Sequence, residues 1–360
     1  MPHGIKIKHY TPKELKSHLD KFIVGQEEAK RILSVAIYNH YNRIMIKNIF
    51  PEYYVEKSNI LMGGPTGCGK TAMVKCLADF IGVPFYIADS TSLTQAGYVG
   101  DDVESILSGL LKDCGGSIDL AEYGIVVLDE VDKLAKKTTG LNITRDVVGE
   151  GVQQALLKMV EGDRIGVPPN GGRKHPEMPL IYMDTKNILF IGIGSFSGIE
   201  DIIKGRLNVQ RVGFDSTQQN ETVNDDKIFT YMSHDDLRKF GMIPEFIGRF
   251  PILANVNKLT KDEFVKVLTE PENSIINQYQ CMLAMDGIKL KVKDDALDFI
   301  ADIALNMGNG ARGLRALLES VLDDIVFEYA DGKDRKKFKT VYITKEYVED
   351  RLSKRFIDLK

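Results

Sequence analysis

The chain has 360 residues, which is enough for two domains that each bury a hydrophobic core. Its hydrophobic fraction of 43% and charged fraction of 27% are those of an ordinary globular protein. With 47 basic and 51 acidic residues, the net charge of −4 argues against binding nucleic acid through a general basic field. No apolar run reaches the roughly 18 residues of a membrane span, and the first ten residues do not resemble a signal peptide.

The four cysteines are too scattered to form a recognised framework. They stand at positions 68, 76, 114 and 281, and none belongs to a C-x-x-C pair, so neither a zinc ribbon nor a set of disulfides is expected. Scattered thiols suit a reducing compartment, and we expect a cytoplasmic protein without membrane partners.

Strand-like apolar runs alternate with helical patterns as far as residue 256. The strand candidates are 58–63, 84–89, 124–129, 187–194 and 251–256. The clearest helix between them has an apolar stripe of Val152, Ala155, Leu156, Met159 and Val160. This alternation predicts an α/β domain over residues 1–256, with a mostly parallel sheet and helices on both faces. Residues 134–149 are predicted to form a loop.

The pattern changes in residues 257–360. Helical periodicity covers 261–285, 294–306 and 312–331, with strand candidates at 288–293 and 338–343. We therefore expect a second, smaller and mainly helical α+β domain.

Residues 64–71 match G-x-x-x-x-G-K-[ST], the loop that cradles nucleotide phosphates, at every required position. A strand pattern precedes this stretch and a helical pattern follows it, so phosphate would lie at a helix N-terminus. Lys70 would add a cation and the Thr71 hydroxyl would reach Mg²⁺. The predicted nucleotide-binding residues are Gly64, Pro65, Thr66, Gly67, Cys68, Gly69, Lys70, Thr71 and Ala72.

The second motif consists of two acidic residues that follow the apolar run 124–128. Asp129 is expected to hold Mg²⁺, mostly through its water shell, and Glu130 to polarise the water that attacks the γ-phosphate. A second acid directly after the magnesium acid predicts hydrolysis of ATP rather than nucleotide sensing.

Two arginines are further catalytic candidates, although either could be an ordinary surface charge. Arg249 precedes the last strand of the first domain, and Arg312 opens a helix of the second. An arginine can stabilise the negative charge that spreads during phosphoryl transfer.

Together these residues resemble the ClpX family of AAA+ unfoldases over nearly the whole chain. The segment 19–27 resembles the family's opening motif, and the resemblance implies that Ile23 and Val24 pack near adenine. It further implies that Arg249 acts in trans on the nucleotide of a neighbour in a homohexamer, and that Arg312 is the second-domain sensor arginine.

The resemblance also assigns residues to substrate and to a peptidase partner. Tyr98 and Val99 would form a pore loop that grips unfolded or tagged proteins, with Arg145 in a second pore loop. The pore entrance would carry Arg173, Lys174 and His175. The tripeptide Val212, Gly213 and Phe214 would dock on the ClpP peptidase.

The sequence departs from the family at three points. It shows no counterpart of the N-terminal zinc domain that members commonly carry. Ile193 and Ser195 differ from the usual small residues, so the sensor-1 residue is not assigned. Cys68 replaces a hydroxyl or other small residue in the phosphate loop, and either fills a variable position or is a thiol sensitive to oxidation.

Several functions share these motifs. The leading hypothesis is an ATP-driven unfoldase that feeds ClpP, and a remodelling chaperone without a peptidase is the close alternative. The related HslU motor is disfavoured, because the 59 residues from Lys70 to Asp129 leave no room for its large insertion. The acidic balance and Tyr98 argue against a nucleic-acid motor, and Glu130 argues against a scaffold that binds ATP without hydrolysing it.

Overall fold

The computed structural model describes residues 9–94, 101–136, 143–168, 179–212, 225–329 and 339–355. Two compact units divide the chain between them, and each is built from three segments. Unit 1 comprises residues 1–16, 27–65 and 70–257, and unit 2 comprises residues 17–26, 66–69 and 258–360. The boundary expected at residues 256 and 257 remains a prediction.

Unit 1 is an α/β unit whose elements alternate along the chain. Helix α1 (Pro12–Asp20) is divided between the two units after Lys16. The other helices of unit 1 are α2 (Glu27–Ile49), α3 (Lys70–Ile81), α4 (Ser105–Asp113), α5 (Ile118–Ala121), α6 (Ile143–Glu161), α7 (Ile199–Val212), α8 (His234–Phe240) and α9 (Pro244–Ile247). Its strands are β1 (Ile60–Gly63), β2 (Phe85–Asp89), β3 (Leu93–Thr94), β4 (Asp101–Asp102), β5 (Ile125–Asp129), β6 (Arg164–Val167), β7 (Ile181–Asp184), β8 (Leu189–Gly194) and β9 (Ile252–Leu253).

Five of these strands form the main sheet in the order β2-β5-β8-β1-β9, and every neighbouring pair is parallel. All residues of β1 and β8 are buried, as expected for a parallel sheet covered on both faces. The ladder between β1 and β9 continues beyond the strand ends, since Val256 N–H donates to Gly63 O at 2.8 Å. The predicted parallel sheet is thus confirmed.

The region predicted as a loop at 134–149 is partly helical. Helix α6 begins at Ile143, and its residues Val152, Leu156, Met159 and Val160 are buried as the apolar stripe predicted. The polar composition at the start of this helix concealed it from a pattern based on apolar residues alone.

Unit 2 contains α10 (Lys261–Thr269), α11 (Ile275–Ala284), β10 (Ile288–Val292), α12 (Asp294–Met307), α13 (Ala311–Tyr329), β11 (Lys339–Ile343) and α14 (Lys345–Arg355). Strands β10 and β11 pair in parallel. The helix predicted over 261–285 is two helices, because Pro271 cannot continue the first and Ser274 caps the second. Unit 2 is mainly helical, as the sequence predicted.

Candidate nucleotide-hydrolysis site

Strand β1 leads directly into the phosphate loop, and α3 begins at its lysine. Gly64 has φ 142°, and a Cβ there would collide with the Val256 carbonyl oxygen, so only glycine fits this turn. The buried Lys70 ammonium donates to Gly64 O at 2.5 Å and to Pro65 O at 2.8 Å. Two backbone carbonyl oxygens therefore hold the Lys70 ammonium at the loop. Phosphate oxygens are hydrogen-bond acceptors too, and they suit the same ammonium.

The middle of the loop, Thr66–Gly69, lies in unit 2 and packs on the start of α13. Ala311 N–H donates to Gly67 O at 3.0 Å, and a Cβ on Gly67 would lie 2.5 Å from Asn309 O. Cys68 is buried, with its thiol 3.9 Å from Thr66 O. Its burial agrees with the interpretation that this residue fills space within the loop.

Ile23 and Val24 follow α1 and are half-buried in unit 2. Ile23 N–H donates to Leu19 O at 2.8 Å, which closes the turn. The Ile23 Cγ2 atom lies 3.8 Å from the position that a Cβ on Gly69 would take. Within unit 2, an apolar side chain therefore lies beside Gly69, and the sequence predicts that this side chain contacts adenine.

The two acids at the end of β5 are held in a defined geometry. Glu130 has φ 56° and ψ 34°, a left-handed conformation that costs about 1–3 kcal/mol for a residue with a side chain. Its N–H donates to Asp129 Oδ1 at 2.9 Å, which fixes the orientation of the Asp129 carboxylate. Glu130 is exposed, whereas the strand that precedes it is buried.

Asp132 links the turn after β5 to the end of β8. Its Oδ2 accepts a hydrogen bond from the Ser195 hydroxyl at 2.9 Å, and its Oδ1 accepts one from Ser195 N–H at 3.2 Å. Strand β8 lies between β5 and β1, so Ser195 sits at the carboxyl edge of the sheet between the phosphate loop and the two acids. Sequence reasoning missed this contact, since the two residues are 63 positions apart.

Arg249 lies between α9 and β9 and forms an ion pair with Glu161, the last residue of α6. Its Nε and Nη2 lie 2.8 and 2.6 Å from Glu161 Oε1. Buried Asn59, the residue before β1, donates Nδ2 to Arg249 O at 2.9 Å and to Val160 O at 3.1 Å. The backbone of Arg249 is therefore anchored at the amino end of β1.

That anchor separates Arg249 from the acids and the lysine of its own chain. The phosphate loop starts at the carboxyl end of β1, five residues after Asn59, which corresponds to about 16 Å along a strand. The structure does not bring Arg249 together with Lys70 or Glu130 within unit 1. Arg312, in unit 2, is the second residue of α13 and is exposed.

The predicted substrate and peptidase residues lie mostly outside the described residues: Tyr98, Val99, Arg173, Lys174, His175, Gly213 and Phe214. Arg145 lies in the first turn of α6 and Val212 at the end of α7, and only their backbones are described.

Across the described ranges, the helices are each too short or too polar to cross a membrane.

Two family descriptions match the chain in sequence. Residues 55–253, more than half of its length, match the AAA domain (Cdc48 subfamily), and residues 259–343 match the C-terminal, D2-small domain of ClpB protein. Both matches agree with the α/β and mainly helical units described above.

The chain is also similar to curated proteins named ATP-dependent Clp protease ATP-binding subunit ClpX. The protein from Borrelia duttonii is 52% identical over 340 residues, which cover 94% of this chain and 78% of that protein. The one from Porphyromonas gingivalis is 47% identical, with 95% and 82% covered. The one from Treponema denticola is 47% identical, with 97% and 84% covered. The chain therefore belongs to the ClpX family of ATP-dependent Clp unfoldase subunits and is an AAA ATPase.

Proposed function

We propose that the chain couples ATP hydrolysis to the unfolding and threading of proteins through the pore of a homohexamer, and that it delivers them to ClpP. The observation that carries the proposal is the position of Arg249. It is anchored at the amino edge of the sheet, whereas Lys70 and Glu130 stand at the carboxyl edge of their own unit. An arginine so placed is suited to a neighbouring subunit's nucleotide.

In the proposed site, Lys70 exchanges the Gly64 and Pro65 carbonyl oxygens for phosphate oxygens. Glu130 accepts a proton from the attacking water, a role that contributes about 10²–10⁴-fold in rate. Ile23 and Val24 contact the adenine, and the trans Arg249 and the sensor Arg312 stabilise charge on the transferred phosphoryl group.

The Thr71 hydroxyl and the Asp129 carboxylate are the donors proposed for Mg²⁺. These two oxygen donors fit a cation that keeps several waters and is held by few protein ligands. The Asp129 carboxylate is already oriented by Glu130 N–H, which supports this role. Bound Mg²⁺ would neutralise phosphate charge.

Substrate handling follows from the sequence motifs. Tyr98 and Val99 grip the polypeptide, Arg145 lines the pore, and Arg173, Lys174 and His175 stand at the entrance. A tyrosine between glycines offers a flat amphipathic surface on an adaptable backbone, which suits many sequences. Val212, Gly213 and Phe214 dock on ClpP.

The test is the ATP-dependent loss of fluorescence from a tagged fluorescent protein, measured with and without ClpP. Loss of fluorescence that becomes irreversible with peptide release in the presence of ClpP supports the proposal. Loss without ClpP binding favours the remodelling chaperone. A chain that stays monomeric with ATP while hydrolysing it at full rate contradicts the hexamer.

A further inference from the structure

Gln153 lies in the middle of α6 and is fully buried, with an exposed fraction of 0%. Both ends of its side-chain amide are used. Nε2 donates to Leu134 O at 2.8 Å, and Oε1 accepts from Ile243 N–H at 3.0 Å. A buried amide in this arrangement fixes two backbone segments that are far apart in the chain.

The two segments are those that carry the catalytic candidates. Leu134 ends the short 3-10 helix Val131–Leu134 that begins directly after Glu130. Ile243 is the N-cap residue of α9, Pro244–Ile247, and Arg249 follows two residues after that helix. Gln153 thus connects the turn of the hydrolytic acid with the loop of the arginine.

A second contact joins the same segments. Lys136 N–H donates to Gly241 O at 2.9 Å, and a Cβ on Gly241 would collide with the Lys136 carbonyl oxygen. The stretches 134–136 and 241–243 are therefore tied by a backbone hydrogen bond and by the Gln153 amide. In contrast, among the residues that the structure describes, the Arg249 side chain is paired only with Glu161, which is about half exposed, so its placement depends on its backbone.

We infer that Gln153 is a positioning residue that sets the place of Arg249 relative to the Glu130 turn, so that each subunit presents its arginine to the neighbour correctly. The inference rests on the proposed trans role of Arg249. Removing the amide takes the hydrogen-bond partner from the buried Leu134 O and from the part-buried Ile243 N–H, and the two segments lose one of the two connections described above. The hydrolytic rate, rather than nucleotide binding, should then fall.

The experiment compares Gln153→Met with Gln154→Met, the same change at the adjacent exposed position. In assembled protein with ATP, Gln153→Met should lower kcat about tenfold and leave KM within twofold, and Gln154→Met should behave as the parent. Mixing with Glu130→Gln subunits, which supply a correctly positioned arginine, should raise the rate per Gln153→Met subunit several-fold. A purely structural defect would not be rescued by a neighbour.

Ile243→Pro provides a second route should Gln153→Met fail to fold. Ile243 has φ −73°, which a proline ring tolerates, so the change removes the N–H that Gln153 accepts and leaves Gln153 intact. Ile243→Val keeps the N–H and is its control. Ile243→Pro should reproduce the loss of kcat and the rescue.

Arg249→Ala distinguishes a failure of the proposed trans role of Arg249 from a failure of the positioning role inferred for Gln153. If Arg249→Ala hydrolyses ATP at the parent rate, the trans role and the inference both fail. If Arg249→Ala is impaired while folded Gln153→Met or Ile243→Pro keeps the parent kcat, or is not rescued by neighbours, the inference alone is overturned.

Discussion

Arg249 is held by Glu161 within its own chain, with Nη2 2.6 Å from Glu161 Oε1. Both side chains are about half exposed, and an ion pair of this kind contributes only about 0–1 kcal/mol to stability. The contact is weak enough for a neighbour's phosphate to displace it. We therefore expect the contribution of Arg249 to ATP hydrolysis to come from its contact with the neighbour's nucleotide, and not from its ion pair with Glu161.

The first prediction separates the arginine from its ion pair. Arg249→Ala should lower ATPase about 10²-fold or more, because a trans arginine supplies charge in the transition state. Glu161→Ala should change ATPase less than about fivefold. Arg238→Ala, which breaks a comparable exposed pair with Asp235, is the control. Equal losses for Arg249→Ala and Glu161→Ala would assign the effect to the pair.

The second prediction concerns the acid at the end of β5. Glu130→Gln should retain ATP binding and lower the hydrolytic rate about 10²–10⁴-fold, because the amide preserves the shape and cannot take up a proton. Lys70→Ala should instead weaken nucleotide binding. Nucleotide titration and phosphate release distinguish the two, with Glu52→Gln as an exposed control. Normal hydrolysis by Glu130→Gln would remove that residue from its role.

The third prediction concerns Tyr98. Tyr98→Ala should leave the ATPase rate within about twofold of the parent and slow the unfolding of stable substrates. The substitution removes the aromatic contact with the polypeptide and leaves the residues proposed for ATP hydrolysis unchanged. Tyr54→Ala, at a tyrosine that is 85% exposed, is the matched control. Equal unfolding rates for Tyr98→Ala and the parent would contradict the pore-loop role and favour the interpretation of Tyr98 as an ordinary surface residue in a turn.

The fourth prediction concerns the peptidase. Deletion of residues 212–214 should abolish ClpP binding and spare unfolding without ClpP, because the apolar docking tripeptide is lost. Deletion of residues 218–220, three polar residues of the same segment, is the control. A stable complex with ClpP after the first deletion would favour the stand-alone chaperone.

The fifth prediction is a pH dependence that originates in His40. Burial, together with the nearby Arg43 and Lys57, lowers the pKa of His40 from 6.5 to about 3, and its Nε2 lies 3.0 Å from Asn187 O. Above pH 6.5 the imidazole is neutral in both states. Below it, only the unfolded chain takes up the proton, so stability falls by up to about 1.4 kcal/mol per pH unit, as far as pH 3.

Chemical denaturation at pH 7, 6 and 5 tests this expectation. His40→Gln should flatten the decline by about one proton, because the glutamine amide does not titrate. An unchanged slope in His40→Gln would place the acid sensitivity elsewhere.

The sequence predicted the parts of the fold that carry a local signal. Strands β1 and β8 are buried along their whole length because both faces are covered, so they stand out in the sequence as continuous apolar runs. The phosphate loop and the acids Asp129 and Glu130 were predicted on a similar ground, since the chemistry proposed for them requires fixed residue types at adjacent positions. In the helix predicted over 261–285, the break at Pro271 was present in the sequence and was overlooked.

The connections between distant segments could not be predicted. Asn59, Asp132 and Gln153 each bind backbone atoms that are tens of positions away, and a single sequence carries no record of such pairings. For Gln153 the sequence did contain a weak signal, because this polar residue stands beside buried Val152. A buried amide within an apolar stripe signals a partner without identifying it.

The interleaved composition of the two units limits how this protein can be dissected. A single cut after Asn257 would leave residues 258–360 without the segments 17–26 and 66–69 that complete their unit. The fragment would lose the Gly67 carbonyl that accepts from Ala311 N–H and the Lys21 carbonyl that accepts from Glu272 N–H. Its isolated stability would therefore understate that of the intact chain. Measurements on either unit are better made on the intact 360-residue chain, with point substitutions in place of truncation.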